Sequence, residues 1–159
     1  MNRPGTQPQQ RQINVAPVRK SVRVDAGAAR AFDVFTAGLA RWWPTSQYSI
    51  HGADTATCAF EPRVGGQIFE TSTRGERGVW GTISVWDPPH RFVPSWHPGG
   101  DPEQATELEL RFVGVPEGTR VELEHRNWVR LGAKGADTRS GYDGGWAVVF
   151  NECYAEACS

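Results

Sequence analysis

At 159 residues the chain is long enough for one compact domain and too short for two of ordinary size. Its charged residues, 22% of the total, divide into 17 Lys+Arg and 18 Asp+Glu, a net charge of -1. Four of the bases (Arg3, Arg11, Arg19 and Lys20) fall in the first 20 positions, so residues 21–159 carry a net charge of -5, which argues against nucleic acid and anionic membranes as partners.

No run approaches the roughly 18 apolar residues of a membrane helix, and the N-terminus MNRPGTQPQQRQ lacks the apolar stretch of a secretory signal. A cytoplasmic location is therefore expected. Cys58, Cys153 and Cys158 form no CxxC pair, which points away from a disulfide framework and a thiolate zinc site. No metal and no cofactor is expected. Residues 1–17, rich in Gln, Arg and Pro, read as a flexible tail, and 18–159 as the folded domain.

Order begins with Val18–Val24, whose alternation predicts a strand. Asp25 is placed to cap a helix in which Ala28, Phe32, Phe35, Leu39 and Trp42 share one face, and Pro44 stops it after about four turns. Residues 45–54 read as loop. Six short alternating runs follow, Ala56–Glu61, Gly66–Thr73, Gly78–Trp86, Arg91–His97, Thr106–Val113 and Thr119–Trp128, separated by Gly- and Pro-rich turns. The Gly-rich region Gly132–Gly145 leads to a closing helix in which Trp146, Val149, Phe150, Cys153 and Ala157 form an apolar stripe. An antiparallel sheet of six or seven strands needs a cover for its apolar face, and the last helix is the long amphipathic element available. The fold class is α+β, a curved sheet gripping the C-terminal helix.

Several motifs carry a family resemblance. Val64-Gly-Gly-Gln-Ile-Phe-Glu70, Gly78-Val-Trp-Gly-Thr-Ile83, Trp86-Asp-Pro-Pro-His-Arg-Phe92 with Trp96, Glu107–Phe112, Gly118–His125 and Gly144-Gly-Trp146 occur in order. They resemble the START-like (SRPBCC) superfamily, in the branch named after the activator of Hsp90 ATPase homologue 1. The resemblance implies a helix-grip fold around a deep, largely apolar cavity. The Hsp90-activating co-chaperones carry a further N-terminal chaperone-binding domain, whereas a short tail precedes the fold here, so an Hsp90-type chaperone is not the expected partner. The expected partner is a small hydrophobic molecule, and a homodimer is left open.

Seven tryptophans in so short a chain suit either a core or a pocket for a flat apolar ligand. Strand parity places Leu108, Leu110, Phe112, Val121, Leu123, Phe92, Trp96 and His125 inward. It places Trp80 and Trp86 outward unless a bulge intervenes near Gly81. Glu70 shares parity with Ile68, so either that pair or Phe69 and Thr71 faces the interior. The candidate ligand-binding residues are Glu70, Trp80, Trp96, His125, Trp128, Trp146 and Phe150, with Trp96 and Trp146 as walls and His125 or Glu70 as polar anchor. Three functions are open: a ligand-binding module; a cyclase- or hydrolase-like enzyme moving protons with Glu70 and His125; or a chaperone- or stress-related surface for a protein partner.

Overall fold

A computed structural model of the protein describes residues 15–159; the expected tail lies outside the described residues except for 15–17. Seven strands, β1 (Val18–Val24), β2 (Thr55–Phe60), β3 (Gln67–Ser72), β4 (Arg77–Asp87), β5 (Arg91–Trp96), β6 (Thr106–Val115) and β7 (Gly118–Arg126), form one antiparallel sheet in the order β1-β7-β6-β5-β4-β3-β2. Consecutive strands from β2 to β7 pair as hairpins, and β1 closes the far edge by pairing with β7, Val22 opposite Val121. The alternation of β6 and β7 buries Leu108, Leu110, Phe112, Val121, Leu123 and His125 on the inner face, as their parity predicts.

The strand that parity reads least well is β4. Its register against β3 shifts between Ile68 and Phe69, whose partners are Gly81 and Val79, so Trp80 is the extra residue. The bulge turns Trp80 inward, where it is 1% exposed. Glycine follows because a Cβ at Gly81 would lie 1.8 Å from the Ser95 carbonyl oxygen on β5. A second shift against β5, between Ile83 and Val85, resets the phase again. Trp86 then meets the rings of Phe32, Phe60 and Phe92 instead of facing outward.

The expected four-turn helix is two pieces, α1 (Ala28–Phe35) and α2 (Leu39–Trp42). The Thr36 hydroxyl donates back to Phe32 O at 2.8 Å and the Gly38 N–H reaches Asp33 O at 2.9 Å, ending α1. Its N-cap is Gly27 without a side-chain cap, in place of the expected Asp25.

The C-terminal helix begins well before the sequence pattern suggests. A 3₁₀ stretch, Trp128–Lys134, runs into α3 (Gly135–Val148), which continues through a π-helical turn, Val149–Tyr154, into α4 (Ala155–Ala157). The wider turn advances the inward stripe by one position, from Cys153 and Ala157 to Tyr154 and Cys158, both of which are buried. The Tyr154 hydroxyl donates to Ala31 O at 2.7 Å and ties this helix to α1. Arg139 on α3 donates to the backbone carbonyls of Ala16 and Pro17, so these last tail positions are held against the helix. Among the described residues no helix is long and apolar enough to cross a membrane.

Candidate functional site

A pocket of about 570 Å³ opens between α3, the inner ends of β4 and β5, and the loop after α2. Four indoles wall it: Trp43 at the end of α2, Trp80 on β4, Trp96 on β5 and Trp146 on α3. They pack on one another, with ring centroids 4.9 Å apart for Trp43 and Trp80 and 5.8 Å for Trp80–Trp96, Trp96–Trp146 and Trp43–Trp146. Gly141 and Gly145, four residues apart on α3, complete the wall with bare backbone, and Tyr48, Ser49 and Ile50 of the loop form its rim.

A buried indole N–H needs an acceptor, and three of the four have one inside the protein. Trp43 Nε1 donates to Tyr48 O at 2.7 Å, which also folds the loop onto the indole. Trp80 Nε1 donates to Glu70 Oε1 at 2.6 Å. Trp146 Nε1 donates to His125 Nδ1 at 3.0 Å. What these three present to the pocket is apolar ring surface.

Glu70 is completely buried beside Ile68, on the inner face of β3. Besides the Trp80 indole, its carboxylate accepts from the backbone N–H groups of Ile50 (2.7 Å) and His51 (2.8 Å), from the Thr55 hydroxyl (3.2 Å), and pairs with His51 Nδ1 (2.6 Å). Burial alone would raise its pKa, but the hydrogen bonds from Ile50, Trp80 and His51 outweigh it and hold the carboxyl below the usual range. The imidazole beside Glu70 is thus His51, not His125. Glu70 acts as a knot joining the pocket rim, the bulged Trp80 and the sheet.

His125, on β7, is equally sealed. Because an indole can only donate, Nδ1 must be the acceptor and Nε2 carries the proton, which it donates to the Thr106 hydroxyl at 2.7 Å. Thr106 in turn donates to the Trp96 carbonyl at 3.0 Å. Burial pushes the His125 pKa down to about 3, so the ring is neutral near pH 7. The rings of Trp128, Tyr142 and Trp146 surround it, the nearest being Trp128 with centroids 4.1 Å apart.

Of the residues singled out from sequence, Trp80, Trp96 and Trp146 line the pocket. Glu70 and His125 stand behind its walls, each engaged with an indole that lines it. Trp128 is buried against His125, to whose carbonyl it donates at 3.0 Å, and Phe150 stacks on Tyr154 in the core. The pocket residues that sequence reasoning passed over are Trp43, Tyr48 and the α3 face Thr138, Gly141, Tyr142, Gly145. Their spacing continues to Trp146 and Val149 as i, i+3, i+4, i+7, i+8 and i+11, a helical stripe hidden because its glycines read as loop. Among the described residues, no three His, Cys, Asp or Glu side chains converge as a metal site.

The family profile described as Activator of Hsp90 ATPase homolog 1-like protein matches residues 25–156. No curated protein matches the chain. Among solved structures, the anthrahydroquino-gamma-pyrone synthase Txn09 is 36% identical over 90% of this chain and 97% of its own, with a TM-score of 0.64. CalC of Micromonospora echinospora, a self-sacrificing resistance protein, is 30% identical over 90% of this chain and 94% of its own, with a TM-score of 0.65. A protein of Nitrosomonas europaea at 12% identity, covering 90% of this chain and 94% of its own, shares the fold alone, with a TM-score of 0.66. With its helix-grip architecture and a profile match over most of its length, the chain belongs to the family of Activator of Hsp90 ATPase homolog 1-like proteins, within the START-like superfamily.

Proposed function

We propose that the protein is a cytoplasmic ligand-binding domain that takes up a small, flat hydrophobic or aromatic molecule in the tryptophan-walled pocket. The observation that carries this reading is the fixing of three pocket indoles by acceptors behind them, Tyr48 O, Glu70 and His125. Walls held from behind keep their shape without a ligand, so binding costs little ordering entropy. The volume, about 570 Å³, suits a small organic ligand. Similarity to a synthase named for a fused-ring pyrone product supports a ligand of that flat, polycyclic kind.

That synthase similarity also favours a second reading, an enzyme closing rings on such a ligand. In it Glu70 and His125 serve as positioning residues, since their polar atoms are engaged with protein groups. The surface reading gains less support: the large hydrophobics exposed among the described residues, Ile50, Val64 and Val129, lie on separate segments, and Ile50 belongs to the pocket rim.

The test is thermal denaturation with a panel of flat polycyclic compounds, with tryptophan fluorescence followed in parallel. A ligand at 100 times its Kd should add about 2.7 kcal/mol and raise the Tm by several degrees. Trp96→Ala should abolish the shift in a protein that still folds. Absence of any shift across the panel, with protein free of co-purified ligand, would overturn the proposal.

A further inference from the structure

We infer that the polar anchor of the pocket is the Tyr142 hydroxyl, on the α3 wall beside Trp146, and that it selects ligands presenting a carbonyl oxygen to it. This rests on the reading of the pocket as a site for flat ligands and names the group such a ligand must carry.

Four polar side chains of the pocket wall are committed to protein partners. The N–H groups of Trp43, Trp80 and Trp146 are committed to protein acceptors. The Ser49 hydroxyl is committed to Thr45 O, Thr55 and the Gly52 N–H within its own loop. Gln47 and Tyr48 lie on the loop, and Gln47 is exposed to water. Away from that rim, where Tyr48 is half-buried, the wall offers Trp96 Nε1, Tyr142 Oη and the Thr138 hydroxyl.

Trp96 is 5% exposed, and its Nε1 is buried with no acceptor at hydrogen-bond geometry. Burial raises the pKa of the Tyr142 phenol, and the Trp96 N–H acts in the opposite direction. Apart from this indole, no group among the described residues engages the Tyr142 hydroxyl. Thr138 lies one helical turn before Tyr142, so both hydroxyls belong to the same face of α3.

Donor chemistry then decides what the corner binds. An indole N–H only donates, whereas a phenol keeps its proton at neutral pH and can donate it to a ligand. The Trp96 N–H is sealed from the pocket, whereas Tyr142 lines it, so the proton offered to a ligand is the phenol's. Its complement is an acceptor without a competing hydrogen, which a ring ketone or quinone supplies and a hydrocarbon lacks. The ring of Tyr142 is itself fixed, stacked at 28° on Trp146 and packed edge-on to His125, so the hydroxyl has little freedom to turn elsewhere.

Tyr142 and Thr138 also line a second pocket of about 190 Å³ that shares Trp96 and Pro98 with the first. The hydroxyl pair thus sits where the two spaces meet. A substituent next to the ligand carbonyl would have room there.

The test compares 9-fluorenone with fluorene, which differ in one carbonyl, binding to the wild-type protein and to Tyr142→Phe by quenching of tryptophan fluorescence. Phenylalanine keeps the ring stack, and an unchanged Tm verifies the fold. The wild type should prefer the ketone, and Tyr142→Phe should weaken ketone binding about five- to tenfold, the value of one neutral hydrogen bond, leaving the hydrocarbon unaffected. The carbonyl stretch of bound fluorenone should be red-shifted in the wild type and return toward its unbonded position in the variant. Equal affinity for the two compounds, or a ketone preference and red shift that survive Tyr142→Phe, would overturn the assignment of Tyr142 while leaving the pocket reading in place. Failure of the wild type to bind either compound would overturn the assignment of Tyr142, and failure across the whole panel of flat compounds would overturn the pocket reading as well.

Discussion

Two aromatic regions share the space between sheet and C-terminal helix, and they are held together by different means. Phe32, Phe35, Phe60, Phe92 and Phe112 pack with Trp86, Phe150 and Tyr154 toward the turn end of the β4–β5 hairpin. Trp43, Trp80, Trp96 and Trp146 occupy its open end and surround the pocket. Phenylalanine has no polar atom and is held by contact on every side, as with Phe92, which is fully buried and touches five other aromatic rings. Trp43, Trp80 and Trp146 each bring an N–H that ties the ring to a fixed acceptor, so each keeps its orientation at the pocket wall. Hydrogen bonds from behind do at the open end what close packing does at the shut end, and this lets a small domain keep a pocket.

The largest expected effect tests the shut end. Phe92→Ala should lower stability by about 3–5 kcal/mol in urea denaturation, the range for deleting a buried aromatic ring. Trp96→Ala should cost less, because it also removes a buried N–H that has no acceptor. Equal losses at the two positions would erase the distinction drawn here.

The acceptors behind the walls should make the open end sensitive to acid. With a folded pKa near 3 against about 6.5 when unfolded, His125 binds its proton more readily in the unfolded chain. Its contribution is complete above pH 6.5 and is lost as pH falls from there toward 3, at no more than about 1.4 kcal/mol per unit. Between about pH 6.5 and 5.5 this slope belongs to His125, because the depressed carboxylates Glu109, held near 2 by Arg126, Arg91 and Arg111 against its burial, and Glu70 lose their contribution only as pH falls toward and below their ordinary value of 4.5. His125→Gln, which retains an acceptor for Trp146, should flatten Tm against pH in that interval. A slope identical to wild type would place the acid sensitivity elsewhere.

Glu70→Gln should cost about 2–3 kcal/mol, since an amide NH₂ must face donors that now meet a carboxylate oxygen. Its signature should be local. The amides of Ile50 and His51, bonded to Glu70, should exchange with solvent faster than those of the β6–β7 hairpin, and the pocket rim should loosen. Uniform acceleration across the domain would show that Glu70 supports the whole fold and not the rim.

How far these features can be read from sequence follows the same division. The strands were legible because period-2 alternation in β6 and β7 marks a single buried face, and the hairpin turns are rich in glycine and proline. Trp80 shows where alternation fails: a bulge inserts a residue without leaving a mark in the hydrophobic pattern beyond the glycine after it. His125 was recognisable as an inward polar group and Glu70 as one of two alternatives for β3, but their partners were not. His51 lies 19 residues from Glu70, and Trp146 lies 21 from His125, so only the tertiary fold brings them together. The π-helical turn moved the buried stripe to Tyr154 by a backbone choice that side-chain periodicity does not encode. The pocket wall of α3 was missed for a plainer reason, that it consists partly of missing side chains.

Those missing side chains yield the smallest effect expected. Glycine within a helix is unfavourable by about 0.5–1 kcal/mol relative to alanine, yet Gly141 and Gly145 both lie in α3 and both line the pocket. A Cβ at Gly141 would meet nothing within 4 Å, so steric crowding by the protein does not explain that glycine. Gly141→Ala should therefore raise stability by up to about 1 kcal/mol in urea denaturation. The gain should come with weaker binding of flat ligands, because the methyl group occupies wall space, and Gly141→Leu should weaken binding further at the same site. Phe92 would show no such exchange of stability against binding. If Gly141→Ala both stabilised the protein and left fluorenone affinity untouched, the glycine face of α3 would not be a surface the ligand uses, and the open end would need its space for something other than the ring system itself.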